Sequence, residues 1–238
     1  MPTKWLFVQL DRIDYPEALT LQRTLVQMVQ AGAVADGVVL FLEHPRVFTL
    51  GRRGGTDNLG VSQAFLDHEG VSVIHVERGG DITYHGPGQL VGYPVVRLPS
   101  AGLSVVGYVT GLETLMIRTA ADFGVQAGRD DRNRGIWVGD SKLGSIGIHI
   151  RRGVSFHGFA LNVNVNLTPF SWINPCGLCG VGVTSLQVLS GRPDPIPMEA
   201  VRRRAADHLA EIFNVTLVET TPEELQRMVN AYGNDTHG

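Results

Sequence analysis

The sequence predicts an α/β (α+β) chain built as a mixed β-sheet with flanking helices. Short apolar runs are bounded by glycine, proline or polar turns, as strands are. Between them lie longer stretches whose apolar residues recur at helical spacing. At 238 residues, with 43% hydrophobic and 18% charged residues, the chain is long enough to bury a substantial core and is composed as an ordered protein.

Asp14-Tyr15-Pro16-Glu17 reads as a capping box, the Asp14 carboxylate and Glu17 satisfying free amides at a helix start. The helix carries Leu21, Leu25, Met28 and Val29 on one face and stops at Gly32. Gly37 to Leu42 is a continuous apolar run too short for a helix, hence a buried strand ended by His44-Pro45. Val47 to Leu50, Val71 to Val76 and Leu90 to Val96 are further strands. Val105 to Phe123 has helical spacing at Tyr108, Leu112, Leu115, Met116 and Thr119, with Gly124 as its stop. From Gly135 to Leu167 the pattern returns to β. It is clearest where Leu161, Val163, Val165 and Leu167 alternate with Asn162, Asn164 and Asn166, a strand with one face on a core. Arg192 to Pro197 is a proline-rich connector into a helix carrying Val201, Ala205, Leu209 and Ile212, opening a small C-terminal helical lobe. Thr221-Pro222-Glu223-Glu224 is a second capping box, and fraying is expected after about Gly233. No internal repeat is visible.

The net charge of −3 supplies no excess of Lys and Arg to pair phosphates, so neither nucleic acid nor an anionic membrane is expected as a partner. The run Arg202-Arg203-Arg204 reads as a solvated helix face. The first residues lack the apolar core of a signal peptide, and no run approaches a membrane span of about 20 apolar residues; a cytoplasmic protein is expected. Cys176 and Cys179 have a spacing unsuited to a disulfide framework, so reduced thiols are the default.

The most unusual stretch is Arg78-Gly79-Gly80-Asp81-Ile82-Thr83-Tyr84-His85-Gly86-Pro87-Gly88-Gln89. Its glycines let backbone approach a ligand closely, while Arg78, Thr83 and His85 can present polar groups; the alternative is a tight hairpin. It is neither a Walker loop nor a dinucleotide fingerprint, so nucleotide-driven chemistry has no support in the motifs. Cys176 follows Pro175 and precedes Gly177, a setting that can hold a sulfur at a fixed angle. A nucleophilic cysteine needs its thiolate stabilised, and Lys142 is the candidate cation. A surface role for Lys142 stays open, and His85, His149 and His157 are rival bases, each read more readily as a hydrogen-bonded structural histidine than as a catalytic one. The Cys176–Cys179 pair also permits thiol–disulfide exchange or half a zinc site, but no second ligand pair accompanies it, so no metal is expected.

Together these segments resemble the lipoyl(octanoyl) transferase family. The resemblance rests on Leu42-Glu43-His44-Pro45, Gly51-Arg52-Arg53, Arg78 to Pro94, Lys142 to Gly147, His157 to Asn162, Pro175-Cys176-Gly177 and Val183-Thr184-Ser185-Leu186, and spans roughly Leu6 to Leu217. It implies a biotin/lipoate protein ligase-like fold, a single catalytic domain over 1–238 with the small lobe from about 192, and no cofactor. It further implies transfer of octanoyl from octanoyl-acyl carrier protein to a lysine of lipoyl domains, those of 2-oxoacid dehydrogenase E2 subunits and the glycine cleavage H protein. Cys176 would form the octanoyl thioester and Lys142 would lower its pKa. The acyl pocket would be lined by Arg78, Gly79, Gly80, Asp81, Ile82, Thr83, Tyr84 and His85, by Ser145, Ile146 and Gly147, and by Gly158, Phe159 and Ala160. Three features depart from the family pattern: Cys179, Asp81 in place of Lys or Gln, and the segment after Thr220. Cys179 could support an off-pathway disulfide that inactivates the protein on oxidation. The enzymatic rival is an ATP-dependent lipoate or biotin ligase; the non-enzymatic one is a scaffold that binds lipoyl domains.

Overall fold

A computed structural model describes residues 2–34, 37–174 and 182–237. Cys176 and Cys179 therefore lie outside the described residues. The chain begins with β1 (Thr3–Arg12), crosses through α1 (Tyr15–Ala31) and returns as β2 (Gly37–Glu43), parallel to β1. β3 (Val47–Leu50), α2 (Gln63–Glu69), β4 (Ser72–His75) and β5 (Ile82–His85) follow, then β6 (Gln89–Arg97) and α3 (Val105–Asp122). β7 (Gly135–Val138), β8 (Ser141–Arg151) and β9 (Val154–Asn162) form a meander. The chain ends with β10 (Gly182–Val183), α4 (Leu186–Ser190), α5 (Met198–Phe213), β11 (Val215–Glu219) and α6 (Pro222–His237).

The main sheet has the order β10-β8-β9-β6-β2-β1-β11, with β7 on β8; β4-β3-β5 form a smaller sheet. The mixed sheet with flanking helices matches the expected fold class. β2 sits mid-sheet and is buried on both faces, which is why it reads as an unbroken apolar run. Its Val39 and Phe41 join Leu112, Met116, Val201 and Leu209 of α3 and α5, while Val38, Leu40 and Leu42 join Ala18, Leu25 and Val29 of α1. A third cluster, with Phe48, Leu66 and Tyr84, lies on the small sheet.

Several expectations change. Asp14 precedes α1 but its carboxylate accepts no cap bond; Pro16, in the first turn, has no N–H to donate one. The box at α6 does form, Glu224 N donating to Thr221 Oγ1 (3.2 Å) and Thr221 N to Glu224 Oε2 (2.9 Å). That helix runs past Gly233 to His237.

The 161–167 alternation is not a strand beyond Asn162. There the backbone turns, Val163 N and Asn164 N both donating to Gly88 O, and Val165 crosses to the small-sheet cluster. Each asparagine side chain up to 164 is spent on tertiary bonds, so the alternation reflects packing on two different cores. Arg202 is not solvated. It is 9% exposed and donates to Glu43 Oε1 at 3.3 Å, while Arg203 is exposed and Arg204 pairs with Asp122. Helical spacing puts position 202 beside the inward-facing Ala205 and Ala206.

The segment from Arg192, read as a small lobe, supplies α5 to the face shared with α3, and β11 to the sheet edge beside β1. β1 itself has no counterpart in the sequence reading. Its Trp5-Leu6-Phe7-Val8 run divides between the two faces, the signal that would have revealed it.

Candidate active site

Between the small sheet and the α1 face of β6, β8 and β9 lies a cavity enclosing about 780 Å³, its open mouth included. Arg78 closes one side. Its guanidinium is 7% exposed as a residue, donates from Nε and Nη2 to Thr49 Oγ1 (3.1 and 2.8 Å) and from Nη2 to Thr49 O (2.5 Å). Gly79 N donates to Ile148 O at 2.9 Å, which lays the loop across β8. A Cβ at Gly147 would stand 3.0 Å from Arg78 Cδ, and one at Gly158 would stand 2.0 Å from Gly92 O, so both wall positions exclude any larger residue.

Asp81 is 8% exposed and folds the neighbouring loop onto the rim: Oδ2 accepts from Asn58 Nδ2 and Oδ1 from Ile82 N, both at 2.7 Å. Ile82, Thr83 and His85 line the cavity with Gly79 and Gly80. Tyr84, expected among them, does not line it. Strand alternation turns its ring away from Thr83 and His85, against Phe48 and Phe170. Ser145, Ile146 and Gly147 on β8 and Gly158, Phe159 and Ala160 on β9 all line the cavity.

Residues absent from the expected set close its inner end: Tyr15 from α1, Tyr93 from β6 and His157 from β9. Tyr15 OH lies 3.4 Å from His157 Nδ1, and its ring stacks on His85 at 5.7 Å between centroids. His157 adopts φ +56°, and its N–H donates to Gln22 Oε1 at 2.8 Å, a bond from α1 that holds this left-handed residue inside a strand. Burial pushes its imidazole down to about 3, and burial, with the adjacent His44, pushes His85 well below its ordinary value. His44 is held down to about 4 by burial, its Nδ1 donating to Ile13 O and its Nε2 accepting from Tyr93 OH, both at 2.7 Å. Tyr15 is pushed up to about 12 by burial. These side chains are therefore polar and neutral, with the Glu77 carboxylate 4.0 Å from His157 Nε2 and the Arg78 guanidinium also facing them. Only a period-2 strand signal could have pointed to Tyr93, and nothing in the sequence distinguishes Tyr15 from an ordinary helix-start residue. His149, the third rival base, does not line the cavity; it lies 2.9 Å from Glu77 O through Nδ1.

At the open end stands Lys142, its Nζ 5.2 Å from the Trp137 ring centroid. β10 pairs with it directly, Val183 opposite Lys142, and Thr184 N donates to Lys142 O at 3.0 Å. Asn162, 4% exposed and also lining the cavity, donates to Thr184 O (3.0 Å) and accepts from Gln89 Nε2 (2.9 Å). Gln89 Oε1 lies 2.7 Å from His85 Nδ1. One buried bonded path thus joins the inner end to the strand beside Lys142. Asn174, the last residue described before the cysteines, donates from its N–H to Asn58 O at 2.9 Å, and Asn58 holds Asp81. Among the described residues no group of three His, Cys, Asp or Glu could hold a metal ion. Among the described residues no helix is long and apolar enough to cross a membrane.

Residues 14–210 match the family model of the lipoyl protein ligase A/B catalytic domain. The octanoyltransferase of Desulfotalea psychrophila is 49% identical over 208 residues, 87% of this chain and 92% of its own. That of Syntrophobacter fumaroxidans is 42% identical over 230 residues, 97% of this chain and 100% of its own. Among solved structures, the bi-partite lipoate protein ligase of Thermoplasma acidophilum superposes with a TM-score of 0.74 at 14% identity, covering 96% of this chain and 91% of that one. The biotin protein ligase of Aquifex aeolicus gives 0.56 at 11%, covering 88% and 70%. The solved structures share the fold; the sequence relatives carry the activity, and the chain accordingly belongs to the lipoyl protein ligase A/B catalytic-domain family as an acyltransferase of the octanoyltransferase kind.

Proposed function

We propose that this protein transfers octanoyl from octanoyl-acyl carrier protein to the acceptor lysine of lipoyl domains, those of 2-oxoacid dehydrogenase E2 subunits and the glycine cleavage H protein, through a thioester on Cys176. The observation that carries the reading is a cavity with a buried inner end of neutral tyrosine and histidine side chains and with Lys142 in its lining, toward which the described chain on both sides of the cysteine segment is tied. Asn174 reaches the rim through Asn58, and Val183 pairs with Lys142. The acyl chain lies in the cavity with its carbonyl toward Lys142.

In the first half-reaction the Cys176 thiolate, stabilised by the Lys142 ammonium, attacks the carrier thioester. The carbon–sulfur bond to the carrier breaks, and the departing thiolate takes a proton from Lys142. In the second half the neutral acceptor amine attacks the enzyme thioester, an amide forms, Cys176 leaves as thiolate and Lys142 recovers a proton from the amine. One thioester replaces another in the first half, so no ATP is consumed.

The test is intact mass after mixing the protein with octanoyl-acyl carrier protein without ATP. A hydroxylamine-sensitive octanoyl adduct on wild type, absent from Cys176→Ala and slowed at least about a hundredfold in Lys142→Ala, is the expected result. Active protein that carries no adduct and needs ATP would make it a ligase instead, and lipoyl-domain binding without turnover would make it a scaffold.

A further inference from the structure

We propose that Tyr15, packed against His157 and His85 at the inner end of the cavity, is the stop that sets acyl chain length at eight carbons. The inference rests on the acyl-transfer reading and adds to it the residue that measures the substrate.

The register of β8 and β9 provides a scale. Lys142 stands at the open end, Ser145 is opposite Ala160, Gly147 opposite Gly158, and Ile148 opposite His157. From Ser145 to Ile148 the strand advances three positions, about 10 Å. An extended eight-carbon chain advances about 1.25 Å per bond, hence about 9 Å over its seven bonds. With its carbonyl placed level with Ser145, an eight-carbon chain along the glycine-floored groove would end where Tyr15 meets His157. Two further methylenes need about 2.5 Å more and meet the phenol ring.

The end wall is buried. Tyr15 and Tyr93 are each 3% exposed, His157 is 1% and His85 is 6%. Behind the wall lie Gln22, fully buried and bonded to His157 N, and His44, bonded to Tyr93. The titratable groups facing Tyr15 are His157, His85, His44 and Tyr93, with Glu77, Arg78 and Arg23 beyond; the three imidazoles are held neutral by burial. Tyr15 also comes from a helix rather than from the sheet that forms the groove, so shortening its side chain removes its contacts with His157 and His85 but leaves the strand pairing of both walls in place.

Two measurements test this on Tyr15→Leu, with Tyr15→Ala as the deeper truncation. In the first, an equimolar series of hexanoyl to tetradecanoyl thioesters of acyl carrier protein competes for transfer to a lipoyl domain, and the products are separated by mass. In the second, the free fatty acids of the same lengths are titrated onto each protein by calorimetry, which needs no catalysis. Wild type is expected to favour eight carbons in both, and Tyr15→Leu to raise the decanoyl-to-octanoyl ratio at least about tenfold, with Tyr15→Ala extending the preference further. An unchanged length profile in a Tyr15→Leu protein that melts cooperatively would overturn the proposal. Wild type that binds eight-carbon acids selectively yet transfers none would refute the transfer reading and leave the stop standing.

Discussion

Replacing Asn162 by leucine keeps most of the side-chain volume and removes two buried hydrogen bonds, to Thr184 O and from Gln89 Nε2. Thr184 is 5% exposed, so its carbonyl is left without water, a loss of about 1–3 kcal/mol. Gln89 Nε2 keeps its 3.2 Å bond to Tyr84 O, so its share is nearer about 1 kcal/mol. The sum, about 2–4 kcal/mol, appears in urea unfolding as a midpoint lowered by roughly 1 M. The same change releases Thr184, next to β10, from the path that ties it to the inner end of the cavity, so amide exchange at Val183 and Thr184 should accelerate more than at β2, and octanoyl transfer should fall. A loss below about 1 kcal/mol with protected Thr184 and unaltered transfer would refute the claim that this bonded path positions the strand.

Three further outcomes follow from burial and contact. Arg202→Ala, which leaves the Glu43 carboxylate beside Gly88 N without its cation, should cost about 3 kcal/mol in chemical unfolding, while Arg203→Ala stays within about 0.5 kcal/mol. Gly158→Ala forces a methyl 2.0 Å from Gly92 O and should cost about 3 kcal/mol or more, read from thermal melts, because the antiparallel β6 and β9 must part. His44, His85 and His157 have folded pKa values depressed below the unfolded value near 6.5, so the unfolded chain binds more protons as pH falls. Their contribution is whole above about pH 6.5 and is lost as pH drops toward about 4, with a slope of up to about 4 kcal/mol per pH unit for the three. Urea midpoints flat between pH 6.5 and 4.5 would contradict this.

The elements legible from the chain are those where local chemistry and burial agree. β2 declares itself because both its faces are buried, α3 because one apolar stripe runs its length, and the second capping box because both its bonds are local. The glycine-rich segment from Arg78 is legible for the same reason: Gly79 passes close to Ile148 O of β8 and Gly80 takes a φ of +90°, and the sequence shows both needs as a glycine pair. The walls at 145–147 and 158–160 were placed by family motif rather than by pattern.

What stayed hidden depends on groups distant in sequence. Asn162 and Asn164 alternate with apolar residues as a strand would, yet their amides are used by Thr184, Gln89 and Ile196, and the backbone turns there instead. Arg202 sits in a basic run, and only the approach of Glu43 from β2 explains its burial. Tyr15 looks like a helix-start residue, and it becomes the end of the cavity because α1 packs its first turn over His157. Periodicity reports which face of an element is buried, while the partner on that face is selected by long-range packing, so hydrophobic pattern could reveal the sheet but the inner end of the cavity required the fold.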